Sequence, residues 1–213
     1  MILIGPPGVG KSTQSILLSR ALGCRRFSVD ARCSQAYREL AEVRRADRNV
    51  ESGDEGDTLD LEQLRHSIVA EHGMAGWRRI YQRMKLAAIT RAVEHGSGAL
   101  VDFGAGHSIY HDPHMVARAR DLLAPCPYVV MLMPYANIGD SVELLATRLE
   151  RAGRPVSRAQ LHHHVTHPTN FRLATDVVYT STQGASQICR TLLKLLGIPR
   201  IIRDTLRLER SAR

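Results

Sequence analysis

The 213 residues are 44% hydrophobic and carry a formal net charge of +8, enough apolar content for one packed core, and no apolar run approaches the ~18 residues of a membrane span. Among 29 basic residues only Lys11, Lys85 and Lys194 are lysines, and the sequence reads as lacking an aromatic-interleaved basic patch, which argues against a nucleic-acid surface. Cys24, Cys33, Cys126 and Cys189 form no C-x-x-C pair and the first strand begins at residue 2, so reduced thiols and a cytoplasmic protein are expected.

In chain order, Ile2, Leu3 and Ile4 read as a buried strand that breaks into Gly5-Pro6-Pro7-Gly8-Val9-Gly10, followed by Lys11, Ser12 and Thr13. This is G-x-x-x-x-G-K-[ST], in which each residue type has a physical task. The glycines turn through conformations closed to other residues, so that successive N–H groups converge on an anion. Ser12 and Thr13 open a helix whose positive end favours phosphate, and Ile16, Leu17, Leu18 and Leu22 supply its apolar stripe. Lys11 reaches the β/γ-phosphates and the Ser12 hydroxyl suits Mg²⁺. A strand before and a helix after set the pattern apart from an ordinary glycine-rich turn.

A second strand, 25–29, ends at Asp30. Residues 33–46 follow as a helix with Tyr37, Leu40 and Val43 on one face, and the polar stretch 47–60 reads as an exposed loop. Two helices come next, "LEQLRHSIVAEHG" and "WRRIYQRMKLAAITRAVEHG". The strand 99–103 enters "GAGHS". A helix then starts at Pro113 with Asp112 as its cap. Further on come a core strand at 128–133 stopped by Pro134, the helix "SVELLATRLERAG", an irregular or partly helical excursion over "RPVSRAQLHHHVTHPTN", the strand 176–180 and the helix "ASQICRTLLKLLG". The arginine-rich tail 198–213 is a packed helix, a frayed end or a basic contact. Five strands alternating with helices predict an α/β fold, a five-stranded parallel sheet with helices on both faces, with ligands outside the carboxyl ends of the strands. Asp30, Asp102 and Pro134 fall at such ends.

A regulatory GTPase would carry N-K-x-D, and "NIGD" (137–140) lacks the lysine. A phosphate loop in a small chain, a carboxylate at the second strand end and a late arginine-rich excursion suggest a kinase for a small molecule. The order and spacing of "GPPGVGKST", "FSVDA", "GMAGWRR", "DFGAG", "LERAGRPVS" and "NFRLATDVVYT" resemble the shikimate kinase-like branch of the nucleoside-monophosphate-kinase fold over most of residues 1–196. They stand where that family has its phosphate loop, D-x-D, G-E-x-x-F-R, T-G-G-G, R-P-containing lid and entry to the last strand. The chain also departs from it. Ser28 replaces the first Asp of D-x-D, Met74 the Glu of G-E, Ala105 interrupts the triple glycine, Tyr81 falls at a substrate-side Glu, and "THPTN" replaces a lid-side arginine.

The resemblance implies a P-loop kinase domain over 1–197, with an acceptor-binding region at about 33–97 and a small lid at about 151–170, using ATP and Mg²⁺ as monomer or homodimer. Gly5, Pro6, Pro7, Gly8, Val9, Gly10, Lys11, Ser12 and Thr13 would hold the nucleotide phosphates, and Arg148 would lie along the adenine. Ser12 and Asp102 would serve the metal, Asp102 otherwise being a cap or turn residue. Asp30 would orient or deprotonate the acceptor hydroxyl, or else cap the helix before "CSQAY". Arg78 is an anion-pairing arginine or a solvated one beside Arg79 and Arg83. Gly104, Ala105, Gly106 and His107 would line the acceptor, and Arg154 would close over the transferring phosphate. The departures favour an acceptor other than shikimate: a central metabolite or a natural product, antibiotics included. Authentic shikimate kinase is the near alternative, and an RNA-binding nucleotide module the distant one. His162, His163, His164 and His167, and separately His107, His111 and His114, form clusters without H-E-x-x-H or cysteine partners, so no transition-metal site is expected.

Overall fold

The computed structural model describes residues 1–30, 61–96, 98–181 and 183–198. The expected helix 33–46, the loop 47–60 with its share of the acceptor region, and nearly all of the tail lie outside the described residues. Five strands form one sheet: β1 (Ile2–Ile4), β2 (Arg26–Ser28), β3 (Leu100–Asp102), β4 (Val129–Met133) and β5 (Asp176–Tyr179). Their order is β2-β3-β1-β4-β5 and every pairing is parallel. β1, β3 and β4 are buried at every position, as strands covered on both faces must be.

This order places a topological switch beside β1. The chain leaves β1 on one side to build β2 and β3, then crosses to the other side to build β4 and β5. A crevice opens at the carboxyl ends of β1 and β3, where two connections diverge.

Helix α1 (Lys11–Leu22) packs against β2, β3 and the last helix. Its apolar stripe differs from the sequence expectation. Lys11, Gln14, Ser15 and Leu18 are buried, whereas Ile16 is exposed. The inner face is rotated because its polar side chains are used: Gln14 Nε2 donates to the Ala185 carbonyl at 3.0 Å, and Ser15 joins an ion pair described below. Helix α2 (Leu61–His95) contains the two expected helices, broken at Gly73 with φ 64° and ψ −179°. A positive φ of this kind favours glycine.

Helix α3 (Pro113–Leu123) begins as expected, with the Asp112 side chain accepting from the His114 N–H at 2.9 Å. Helix α4 (Ile138–Arg151) starts earlier than its apolar pattern indicated, because Asn137 caps it by accepting from the Asp140 N–H at 3.0 Å. The excursion after it is partly helical, the second of the two expected forms. Ser157 caps α5 (Arg158–Thr166), His167 bridges, and α6 (Pro168–Leu173) leads into β5. Helix α7 (Ala185–Leu195) closes the described chain, burying Ile188, Cys189, Leu192 and Leu193.

Candidate active site

The loop after β1 is shaped by backbone contacts that only glycine allows. Gly5 has φ 138°, and a Cβ there would lie 2.4 Å from the Leu132 carbonyl oxygen of β4. Gly10 has φ 99° and opens α1 without a side-chain cap, so the first N–H groups of the helix are not taken by a capping side chain. Val9 anchors the loop in the core, while the Ser12 and Thr13 side chains are exposed on the first turn. Lys11 folds back over the loop, its Nζ donating to the carbonyls of Gly5 (2.8 Å) and Pro6 (2.9 Å). Burial pushes its pKa down to about 8, against the opposing pull of Asp102 and Asp30. The concave donor array fits a polyphosphate, and the exposed Ser12 hydroxyl fits a metal ion beside it.

Asp102, at the end of β3, is neither a cap nor a turn residue. Its Oδ2 accepts from Arg26 Nη2 at 2.8 Å and from Ser15 Oγ at 3.2 Å, while Arg26 Nε donates to Ser15 Oγ at 2.6 Å. β2 and α1 are thereby tied to β3 beneath the loop. Nothing in the sequence spacing signals this trio, because its members come from three separate elements.

Val29 and Asp30 are helical, and the helix that Asp30 would cap before "CSQAY" lies outside the described residues. The exposed Asp30 side chain turns towards the loop after β3. A Cβ at Gly104 would stand 1.7 Å from Asp30 Oδ1, so a glycine at 104 is what admits the carboxylate. Asp30 Oδ1 also lies 3.5 Å from His107 Nδ1. His107 is buried, and desolvation lowers its pKa to about 4 against the pull of Asp30, leaving a neutral imidazole. The turn itself is closed by the His107 N–H bonding to the Gly104 carbonyl at 3.0 Å. Lys11, Asp30, Gly104 and His107 thus converge at the switch point.

Lys85, on α2, belongs to the same region and was passed over in the sequence. Its Nζ donates to the carbonyls of Gly106 (3.2 Å) and Ile109, and stands 5.1 Å and 4.9 Å from the ring centres of Tyr81 and Tyr110. Burial lowers its pKa to about 8. Its one signal was chemical: a lysine between Met84 and Leu86 on an apolar stretch, in a chain that otherwise uses arginine.

The remaining arginines are placed less tightly. Arg78 is exposed on α2, and its charge, with those of His163 and Lys85, adds to the desolvation that lowers the His111 pKa. Arg148 is half-buried on α4, and Arg154 is exposed just after Gly153, which has φ 67°. The two histidine clusters, separate in sequence, meet in space: His111, His163 and His167 have ligand atoms within 4.8 Å of one another.

No protein-family profile and no curated protein sequence matches the chain. Solved structures do. A shikimate kinase of Acinetobacter baumannii, solved in complex with shikimate, superposes with TM-score 0.56 at 20% identity, covering 92% of this chain and 90% of that one. The fold is shikimate kinase-like. Shikimate kinases of Bacteroides thetaiotaomicron (TM-score 0.57, 15% identity, covering 92% and 97% of the two chains) and Aquifex aeolicus (0.51, 14%, 92% and 95%) superpose similarly. At these identities the shared property is the fold, the shikimate kinase-like architecture that the motif order implied. None of the described helices is long and apolar enough to cross a membrane.

Proposed function

We propose that this protein is an ATP-dependent O-phosphotransferase that moves the γ-phosphoryl group to a hydroxyl of a small polar molecule other than shikimate, natural products and antibiotics included. The observation that carries the reading is the convergence of the Lys11 loop with Asp30, Gly104 and His107 at the switch point of a shikimate kinase-like sheet. One domain over 1–197 would do this, with the acceptor region at about 33–97, the lid at about 151–170, and 198–213 as a basic tail.

Phosphoryl transfer needs positioning and charge neutralisation more than covalent help. The loop amides and Lys11 hold the donor phosphates, Lys11 leaving the Gly5 and Pro6 carbonyls to do so. Mg²⁺, when bound, neutralises phosphate charge, and Ser12 with the second oxygen of Asp102 would hold it or its waters. Asp30 accepts the proton of the acceptor hydroxyl as that oxygen attacks. His107, kept neutral, offers the acceptor a hydrogen bond without adding a cation. Arg154 and Arg148 serve the lid and the adenine face, and Arg78 an acceptor anion.

Ser28, Met74 and Tyr81 stand where the family's carboxylates would be, which is why shikimate is set aside. The test is a screen of small alcohols for acceptor-dependent ATP consumption, with mass detection of a phosphorylated product. Shikimate should give a kcat/KM well below ~10⁴ M⁻¹s⁻¹. A value at or above that would make the protein a shikimate kinase. ATP turnover stimulated by no alcohol, together with salt-sensitive RNA retention, would replace the kinase with a nucleotide-dependent RNA module.

A further inference from the structure

The histidines of the excursion and of the loop after β3 form a cluster to which phosphoryl transfer assigns no role. His163 lies in the last turn of α5, and the His167 N–H bonds to the His163 carbonyl at 3.0 Å, which brings the two rings onto one side of the helix end. His111 reaches them from the segment just before α3, its own N–H held by Gln82 Oε1 at 2.8 Å. Ring centres are 5.7 Å apart for His111–His163, 5.2 Å for His111–His167 and 4.9 Å for His163–His167. Stacking alone would leave three imidazole edges facing one another with little to gain.

We propose that His111, His163 and His167 form a binding site for a divalent transition ion of the Zn²⁺ class, distinct from the Mg²⁺ position at the phosphate loop. Imidazole nitrogen suits Zn²⁺ and its neighbours in the first row, and three histidines leave a fourth position for water or another ligand. Zn–N bonds of about 2.0–2.1 Å put tetrahedral nitrogens roughly 3.4 Å apart. The present spread, up to 4.8 Å, closes by ring rotation at His111 and His163, both exposed and therefore open to an entering ion.

The surroundings also fix the ligand tautomer of His167. Thr169 Oγ1 donates its single proton to the Ser108 carbonyl at 2.8 Å and stands 2.6 Å from His167 Nδ1. Its hydrogen being used, the hydroxyl accepts from Nδ1–H, and the lone pair of His167 is left on Nε2 for an ion. The competing approach of the Thr169 N–H to Nδ1, at 3.4 Å, is far weaker. A hydroxyl behind a ligating imidazole is the outer support that metal histidines require. The bound ion would pin the α5–α6 joint to the loop after β3.

The test uses tag-free, chelator-stripped full-length protein and Co²⁺ and Zn²⁺ themselves. One Co²⁺ per chain should bind with Kd below about 10 µM, giving a visible d–d spectrum that Zn²⁺ abolishes. His163→Ala, at an exposed position where folding is not at stake, and His167→Ala should remove it. Thr169→Val should weaken binding by ~10–100-fold, and exposed His162→Ala should leave it unchanged. No stoichiometric uptake, or uptake that survives His163→Ala and His167→Ala, would overturn the site.

Discussion

Two of the chain's three lysines are buried, and they divide the candidate site between them. Lys11 lies in the loop after β1, Lys85 against the loop after β3, and each ammonium is held by two backbone carbonyls of a glycine-containing turn. Lys11 lies five and six residues along the chain from the carbonyls it touches and is pulled on by two carboxylates. Lys85 reaches across from another helix into a cage of Tyr81 and Tyr110. The first arrangement suits a cation that is released to meet phosphate. The second suits a cation that fixes the shape of the acceptor-side loop.

Lys11→Ala breaks the comparison at its strongest point. If this ammonium moves onto the charge that shifts during transfer, kcat should fall by about 10²–10³, as for other preorganised electrostatic groups. Circular dichroism and thermal melting should be little changed, because the loop carbonyls regain water. Turnover within a few-fold of wild type would remove Lys11 from the donor site.

The acceptor and metal sides are separated at the carboxylates. Asp30→Asn should lower kcat by ~10²-fold with ATP affinity nearly unchanged. Gly104→Ala should do the same without altering Asp30, since the new Cβ would occupy the place of Oδ1. Asp102→Asn should instead raise the Mg²⁺ concentration needed for turnover. It should also lower stability by about 1–2 kcal/mol, because Arg26, 30% exposed, loses the partner of a half-open ion pair. A Mg²⁺ titration of all three variants at saturating acceptor separates the roles. A raised Mg²⁺ requirement for Asp30→Asn alone would reverse them.

The same division explains what the sequence made legible. The phosphate loop was readable because its chemistry is local: Gly5, Gly8, Gly10 and Lys11 fall within seven consecutive residues, between a strand and a helix. The strands were readable because burial on both faces leaves uninterrupted apolar runs such as Val129–Met133. The packing around the site was not, because contacts between distant elements decide it. Arg26 and Ser15 on Asp102, Lys85 under Gly106, and His111 beside His163 and His167 each join residues that no periodicity links. Even α1 misled, since its inner face carries Gln14 and Ser15, whose burial depends on partners elsewhere in the chain. The excursion was legible only as irregular or partly helical, because Ser157 and His167, which bound α5, sit among histidines and a proline that blur the apolar pattern.

The smallest expected effect concerns how dry the Lys85 cage is. Its ammonium gives up its proton near pH 8 in the folded protein, but near the ordinary 10.5 once unfolded. Below pH 8 both states are protonated and burial of the charge lowers stability by a constant amount. As pH rises from 8 towards 10.5 the unfolded chain binds more protons than the folded one, so stability rises with pH across that window. Lys85→Met removes this proton while keeping the stem. Denaturant unfolding at pH 8 and pH 9 should therefore show wild type gaining about 1 kcal/mol relative to Lys85→Met. The comparison cancels Lys11 and Cys126, which titrate in both chains, and lies below the range of Tyr110, whose hydroxyl burial pushes further up. Parallel stability curves for the two proteins would mean that water reaches the Lys85 ammonium, and that the two lysines differ in environment as well as in origin.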